Sequence, residues 1–394
     1  MGTNTFYNMS RWAAFWCKRA LLRVVFRSFL LMSIILLSIS IMVLSPNLYS
    51  VNEAHRPTTV SALVTGRQSI NSTLHCAIQN GSLSTFARKY ANHYTANDVD
   101  FLVAVDIIMK RKWQQNSAFS QVFRNDLRAA LGDKGKLDRF ILTRQNVRWG
   151  DKINFYRHKA SARISRQLWQ LLPKDTFFKP GIIQRCSVVG SSGILKGSQC
   201  GHSIDKADFV FRFNLADVKG YETDVGGKTN FTTLNPSLIM IKYSSLRRKE
   251  DRTRFAEALK QFKGSLLFLP AFAFKWRYQM LIQAASVAKK SVGLQPIFGH
   301  PDHYTSVANL WQKTINGTRW TTTGLHVLSS ILDFCEQIDV YGFWPFPTTL
   351  DGRAVSYHYH NDINGTTSHS FGKEFRGLVY LHEQGIIKLH IGSC

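Results

Sequence analysis

The chain has 394 residues, 44% hydrophobic, 12% aromatic and 19% charged, too apolar to be disordered throughout; with 26 Gly and 10 Pro it is neither collagen-like nor a linker. Fifty Lys and Arg against 25 Asp and Glu leave a formal charge of +25, which points to an acidic partner: a nucleic acid, an anionic membrane, a nucleotide or an acidic sugar. The address of the chain decides among these.

Ser28 to Leu44 is a charge-free apolar run of 17 residues, at the short end of what spans a bilayer. Residues 1–27 before it carry Arg11, Lys18, Arg19, Arg23 and Arg27 and no acidic residue, so they form a cytosolic tail and everything after the run is lumenal. Met42-Val43-Leu44-Ser45-Pro46 lacks the small-x-small pattern of a cleavage site, so 28–44 reads as an uncleaved signal anchor. A lumenal address turns the reading away from nucleic acid. Residues 45–96 are polar and suit a stem. Sequons stand at Asn71, Asn80, Asn230, Asn316 and Asn364 as expected glycosylation sites. Of six Cys, Cys17 precedes the anchor; Cys186, Cys200, Cys335 and Cys394 admit three pairings, and Cys76 is left free or intermolecular, which keeps a homo-oligomer open. No C-x-x-C suggests a zinc cluster.

Residues 97–172 read as a helical lead-in, with apolar spacing at Phe101 to Ile108, Phe119 to Leu131 and Ile164 to Leu172, which ends at Pro173. The body, 173–394, is α/β. Cys186–Val189, Phe209–Phe211, Leu266–Leu269 and Ile338–Tyr341 are short β-rich apolar runs bounded by Gly, Pro or Asn, as buried strands are. Thr322 to Gln337 is predicted helical, because Leu325, Leu328, Ile331, Leu332 and Cys335 recur at three and four. Strands alternating with helices imply a mostly parallel sheet covered on both faces.

The sharpest local feature is Val188-Val189-Gly190-Ser191-Ser192-Gly193, a strand entering a Gly/Ser turn. Its glycines let a ligand approach the backbone, and exposed N–H groups with two hydroxyls suit a phosphate or sugar hydroxyl. Neither G-x-G-x-x-G nor G-x-x-x-x-G-K-S/T spacing is present.

The stretch continues through Gly197-Ser198-Gln199-Cys200-Gly201, Ile204 to Asn214, Asp224-Val225-Gly226 and Asn235-Pro236-Ser237, which together resemble the large sialylmotif of the animal sialyltransferases. Thr322-Thr323-Gly324-Leu325 through Cys335 to Tyr341-Gly342-Phe343-Trp344-Pro345-Phe346 resembles the small motif, Tyr357-His358-Tyr359 the third, and His369 with Glu374 the very small motif. The four run in the family's order from Cys186 to the C-terminus, and their wording is most like that of the α-2,8-sialyltransferases.

The resemblance implies a GT-A-like variant Rossmann sheet flanked by helices, in a single lumenal domain of a type II Golgi membrane protein. The implied activity is transfer of sialic acid from CMP-sialic acid to a sialylated glycoprotein or glycolipid, with inversion and without a metal or other cofactor. It implies His369 as general base with Glu374 to orient or tune it, and His358 at the leaving phosphate. It further implies donor contacts from Gly190, Ser191, Ser192, Gly193, Asn214, Thr322, Thr323, Gly324 and Trp344, and disulfides Cys186–Cys335 and Cys200–Cys394.

Several positions depart from the family's wording. Ser191 stands where the family has Asn, Phe213 where it has Cys, Thr322 where it has Ser, and His360-Asn361 where it has Tyr-Asp. Ser191 and the altered third motif keep open a catalytically silent lumenal sialoside-binding protein, and a sialyltransferase of another linkage is the remaining alternative. The D-x-D at Asp98-Val99-Asp100 lies far from the nucleotide loop, and no metal site is expected. Residues 263–320 hold seven Lys or Arg against one Asp, which suits attraction of acidic substrates.

Overall fold

The computed structural model describes residues 99–156, 159–315, 321–361 and 369–394. The predicted tail, anchor and stem, Cys76, Asp98 and the sequons at Asn71, Asn80, Asn316 and Asn364 lie outside them. No helix among the described residues is long and apolar enough to cross a membrane.

Seven strands form one sheet: β1 (Ile183–Val189), β2 (Phe209–Arg212), β3 (Phe231–Thr233), β4 (Leu266–Leu269), β5 (Gln295–Phe298), β6 (Cys335–Tyr341) and β7 (Lys388–His390). Their order is β5-β4-β3-β2-β1-β6-β7, and every neighbouring pair is parallel. The chain thus steps outward from β1 to β5 and then returns to start again on the other side of β1. The strand order reverses at β1 and β6, and the crevice outside the carboxyl ends of strands at such a switch point is where open α/β sheets bind ligands.

The helices that cover the sheet are α1 (Val99–Lys110), α2 (Ser117–Leu131), α3 (Lys249–Leu259), α4 (Tyr278–Val287), α5 (Pro301–Ile315), α6 (Thr323–Phe334) and α7 (Phe371–Glu383). Strand alternation sorts the core into two faces. Cys186, Val188, Phe211, Phe231, Phe268 and Val340 meet Phe101 and Val105 of α1, Phe123 and Leu127 of α2, Val327 and Ile331 of α6, and Phe375 and Val379 of α7. Leu267, Leu269 and Phe298 point the other way, toward Phe255 and Leu259 of α3 and Leu281 and Ile282 of α4. The helical lead-in is therefore part of the core rather than an appendage. It also contains an antiparallel hairpin, Lys152–Asn154 with Ser161–Arg163, that periodicity did not indicate.

One boundary differs from the sequence expectation. The helix predicted to Gln337 ends at Phe334, and Cys335 opens β6, pairing with Ile183 of β1. Parallel pairing with a central strand outweighs the helical spacing of Cys335. The same residue is bonded to Cys186, and Cys200 to Cys394, so both implied disulfides are present.

Candidate active site

A cavity of about 380 Å³ opens at the crevice between β1 and β6, within the ~300–1,000 Å³ usual for small-molecule sites. Its wall comprises Gly190, Ser191 and Ser192 after β1, Thr322, Gly324 and Leu325 at the start of α6, Gly342 to Pro347 after β6, Val355 to His358, and Phe371, Glu374, Phe375 and Leu378 of α7. Pieces of all four motifs meet there, although β1 and β6 are joined across 149 residues by the Cys186–Cys335 bond.

The turns after β1 and β6 touch backbone to backbone. A Cβ on Gly190 would lie 2.3 Å from the Gly342 carbonyl oxygen, and Gly342 adopts φ +69°, a conformation side chains resist. Gly190 N–H donates to Tyr341 O (2.7 Å), Ser192 N–H to Gly342 O (3.1 Å) and Gly193 N–H to Ser356 O (3.0 Å). For Gly190, Ser192 and Gly193 this corrects the expectation that the N–H groups of the turn are exposed for a ligand. Strand pairing has ended here, and these donors hold the loops together instead. The Ser191 carbonyl accepts from Tyr359 N–H at 2.9 Å, and Ser356 Oγ donates to His358 O at 2.8 Å. The third motif is thereby laced onto the first. Ser356 was not singled out from the sequence, where a lone Ser carries no signal.

Much of the large motif is scaffold. Arg212, 1% exposed, donates to the carbonyls of Val225, Gly226 and Lys228. The Asp205 carboxylate accepts from Gly227 and Lys228 N–H, and that of Asp224 from Gly197 and Gln199 N–H. Asn214 is in the left-handed region, φ 54°, which Asn tolerates better than most residues. Its N–H donates to Thr233 Oγ1 (2.9 Å), its Oδ1 accepts from Asn235 N–H (3.1 Å), and Asn235 Oδ1 accepts from Thr323 Oγ1 (3.2 Å). Asn214 itself is outside the cavity wall and joins the large motif to the small one through Asn235. Asn230, at the foot of β3, accepts from Val210 N–H with its Oδ1, and Phe231 and Thr232 of its sequon are fully buried.

Thr322 caps α6, its Oγ1 accepting from Leu325 N–H at 3.0 Å, so the positive end of the helix dipole faces the cavity. Glu374, expected beside His369, places both carboxylate oxygens on Thr322. Burial pushes its carboxyl up to about 7, against the pull of those hydrogen bonds. His369 is not in the wall; its ring packs edge-on against Phe371, which is, at 5.6 Å. His358 does line the cavity, and burial lowers its imidazole below the usual range while Asn361 raises it. Trp344 lines the cavity too but is 4% exposed, with Nε1 donating to Thr348 O and its ring edge-on to Phe346 and Phe375, so one side of it is core. Phe213 and Phe343, edge-on at 5.8 Å, complete an aromatic wall that was not assigned from the sequence. Among the described residues no Lys or Arg lines the cavity, and none of residues 263–315 does.

Residues 138–386 match the family model "Glycosyltransferase family 29 (sialyltransferase)". The chain is 31% identical over 318 residues to mouse alpha-2,8-sialyltransferase 8F, covering 79% of this chain and 77% of that protein. It is 34% identical over 288 residues to the Xenopus tropicalis alpha-N-acetylneuraminide alpha-2,8-sialyltransferase, covering 72% and 81%. Among solved structures, a mammalian sialyltransferase superposes with a TM-score of 0.47 at 22% identity, over 68% of this chain and 95% of that one. The chain belongs to glycosyltransferase family 29, the sialyltransferases.

Proposed function

We propose that this protein transfers sialic acid from CMP-sialic acid to the terminal sialic acid of a glycoprotein or ganglioside, making an α-2,8 link with inversion and without a metal ion. The observation that carries the proposal is the convergence of all four motifs on one cavity at the β1–β6 crevice. The α-2,8 linkage is supported by the names of the relatives at 31% and 34% identity.

In this reading the donor's phosphate lies near the N-terminus of α6, whose dipole favours an anion. His358, carrying a proton, balances the charge that develops on departing CMP. His369, next to the wall at Phe371, takes the proton of the acceptor hydroxyl as that oxygen attacks the anomeric carbon from the face opposite CMP. Aromatic surface from Phe343, Trp344 and Tyr357 offers apolar area to base and sugar. The predicted anchor at 28–44 and the cationic residues before it support a type II Golgi topology.

The test uses the full-length protein in detergent with labelled CMP-sialic acid, sialylated and asialo acceptors, and excess EDTA, beside His369→Ala. Label moving to sialylated acceptors in EDTA, and not with His369→Ala, is the expected result. Binding without transfer by the wild type would replace the catalytic reading with that of a sialoside-binding protein.

A further inference from the structure

The segment that follows β6 folds back over the cavity and presents His358 to it. Three residues on, the Asn361 side chain lies between two imidazoles. Its Oδ1 is 3.0 Å from His358 Nδ1 and its Nδ2 is 3.0 Å from His360 Nδ1. The two rings stack with centroids 5.1 Å apart and planes inclined by 13°. A carboxamide has one accepting and one donating end, so in this orientation it selects complementary tautomers. His358 carries its proton on Nδ1, and His360 has Nδ1 bare. Nε2 is then the His358 nitrogen that Asn361 does not engage.

We infer that Asn361 is the positioning residue of His358: it fixes the ring's tautomer and, being neutral, leaves the charge of the ring to be set by the anion that binds. The inference rests on the reading of His358 at the leaving phosphate. The surroundings support it. Among the described residues no Lys or Arg lines the cavity, Tyr357 flanks His358 with ring centroids 4.5 Å apart, and Glu374 on α7 shares the cavity. Burial, and after it the neighbouring His358, lowers His360 to about 4, with Asp217 and Lys242 acting in opposite directions, so it stays neutral and accepts from the amide. Tyr359, between the two histidines in sequence, turns away to donate to Asp217 O and is influenced by Arg212. With no permanent anion among the described residues hydrogen-bonded to His358, the arriving phosphate brings the counter-charge; the ring takes a proton from solvent at Nε2 as donor binds and returns it after CMP leaves.

The test measures kcat/KM for CMP-sialic acid from pH 5 to 9 with the full-length protein and with Asn361→Asp, Asn361→Ala and His358→Gln. Calorimetry of CMP binding in two buffers of different ionisation enthalpy counts the protons taken up. Asn361→Asp is expected to move the alkaline limb up by at least about one pH unit, as a carboxylate beside an imidazole does, and to reduce proton uptake near pH 8. Asn361→Ala is expected to move the limb down and raise the donor KM about tenfold, with Asn361→Asp restoring the KM. A limb that vanishes in His358→Gln but stays fixed in both Asn361 variants, with proton uptake unchanged, overturns the inference about Asn361 alone. A limb that persists in His358→Gln overturns the placement of His358 at the phosphate and, with it, the role of Asn361.

Discussion

Glu374 and Thr322, 52 residues apart, form a two-point clamp: one carboxylate oxygen accepts from the Thr322 N–H at 2.8 Å and the other from its hydroxyl at 2.5 Å. The clamp joins the first turn of α7 to the cap of α6, so the very small motif holds the small motif in place.

The clamp carries a pH signature. Glu374 is 8% exposed, and its carboxyl is raised from 4.5 to about 7 by burial. The folded chain holds this proton more tightly than the unfolded chain, so the associated stability is full below the unfolded pKa and is lost as pH rises from about 4.5 to about 7. The size is about 3 kcal/mol. Glu374→Gln removes the titration, and its melting temperature is expected to equal or exceed that of wild type at pH 8 while falling level with or below it near pH 5. Parallel pH profiles for the two proteins would contradict a raised Glu374.

Gly190→Ala should be severe. The added Cβ meets the Gly342 backbone at 2.3 and 2.9 Å, where no flexible side chain can give way. A loss of more than about 2 kcal/mol is expected, together with loss of transfer activity. Gly197→Ala makes a comparison in which the added Cβ has open space but φ is +71°, and there a cost of about 1 kcal/mol is expected from backbone alone. Equal melting shifts for the two variants would show that the Gly190–Gly342 contact is not tight.

Two variants of Asn214 separate backbone from side chain. Asn214→Gly keeps the left-handed conformation and loses the hydrogen bond to Asn235 N–H, whereas Asn214→Ala loses both. Ala is expected to cost about 1 kcal/mol more than Gly. Both should raise the donor KM through Asn235 and Thr323, and an unchanged KM in both would remove Asn214 from the binding apparatus.

Cys186–Cys335 and Cys200–Cys394 close loops of 149 and 194 residues. In the loop-entropy model each contributes up to about 5 kcal/mol. Thermal melts with and without reductant, and of Cys200→Ser/Cys394→Ser, should show a fall of several degrees per bridge. Insensitivity to reductant in the unfolding zone would rule out the model for this chain.

The sequence made legible four of the five inner strands of the sheet and missed β3, whose three residues Phe231, Thr232 and Thr233 are too short a run to register. β1, β2, β4 and most of β6 are continuous apolar runs because both of their faces are buried. Edge strands were silent: Gln295–Phe298 contains Pro296, which a sheet tolerates at its border, and Lys388–His390 has three residues, two of them polar. The site was legible as motifs but not as geometry. Nothing in a one-dimensional string shows that Glu374 turns to Thr322 rather than toward His369, or that Asn361 bridges His358 and His360, because those contacts depend on how α7 and the loop after β6 approach the sheet. Arg212 and Asp205, read as parts of a donor motif, turn out to spend their hydrogen bonds on neighbouring loop backbone.

The placement of β6 beside β1 has a kinetic consequence. β1 to β5 are laid down in sequence order, each next to its predecessor, and can pair as the chain emerges. β6 is added to the open border of β1 only after some 150 residues have followed Cys186. Until then β1 exposes an unpaired, apolar margin that invites mispairing with other nascent chains. On this order the cleft between β1 and β6 closes late, and the Cys186–Cys335 bond is a covalent record that β6 has been placed beside β1.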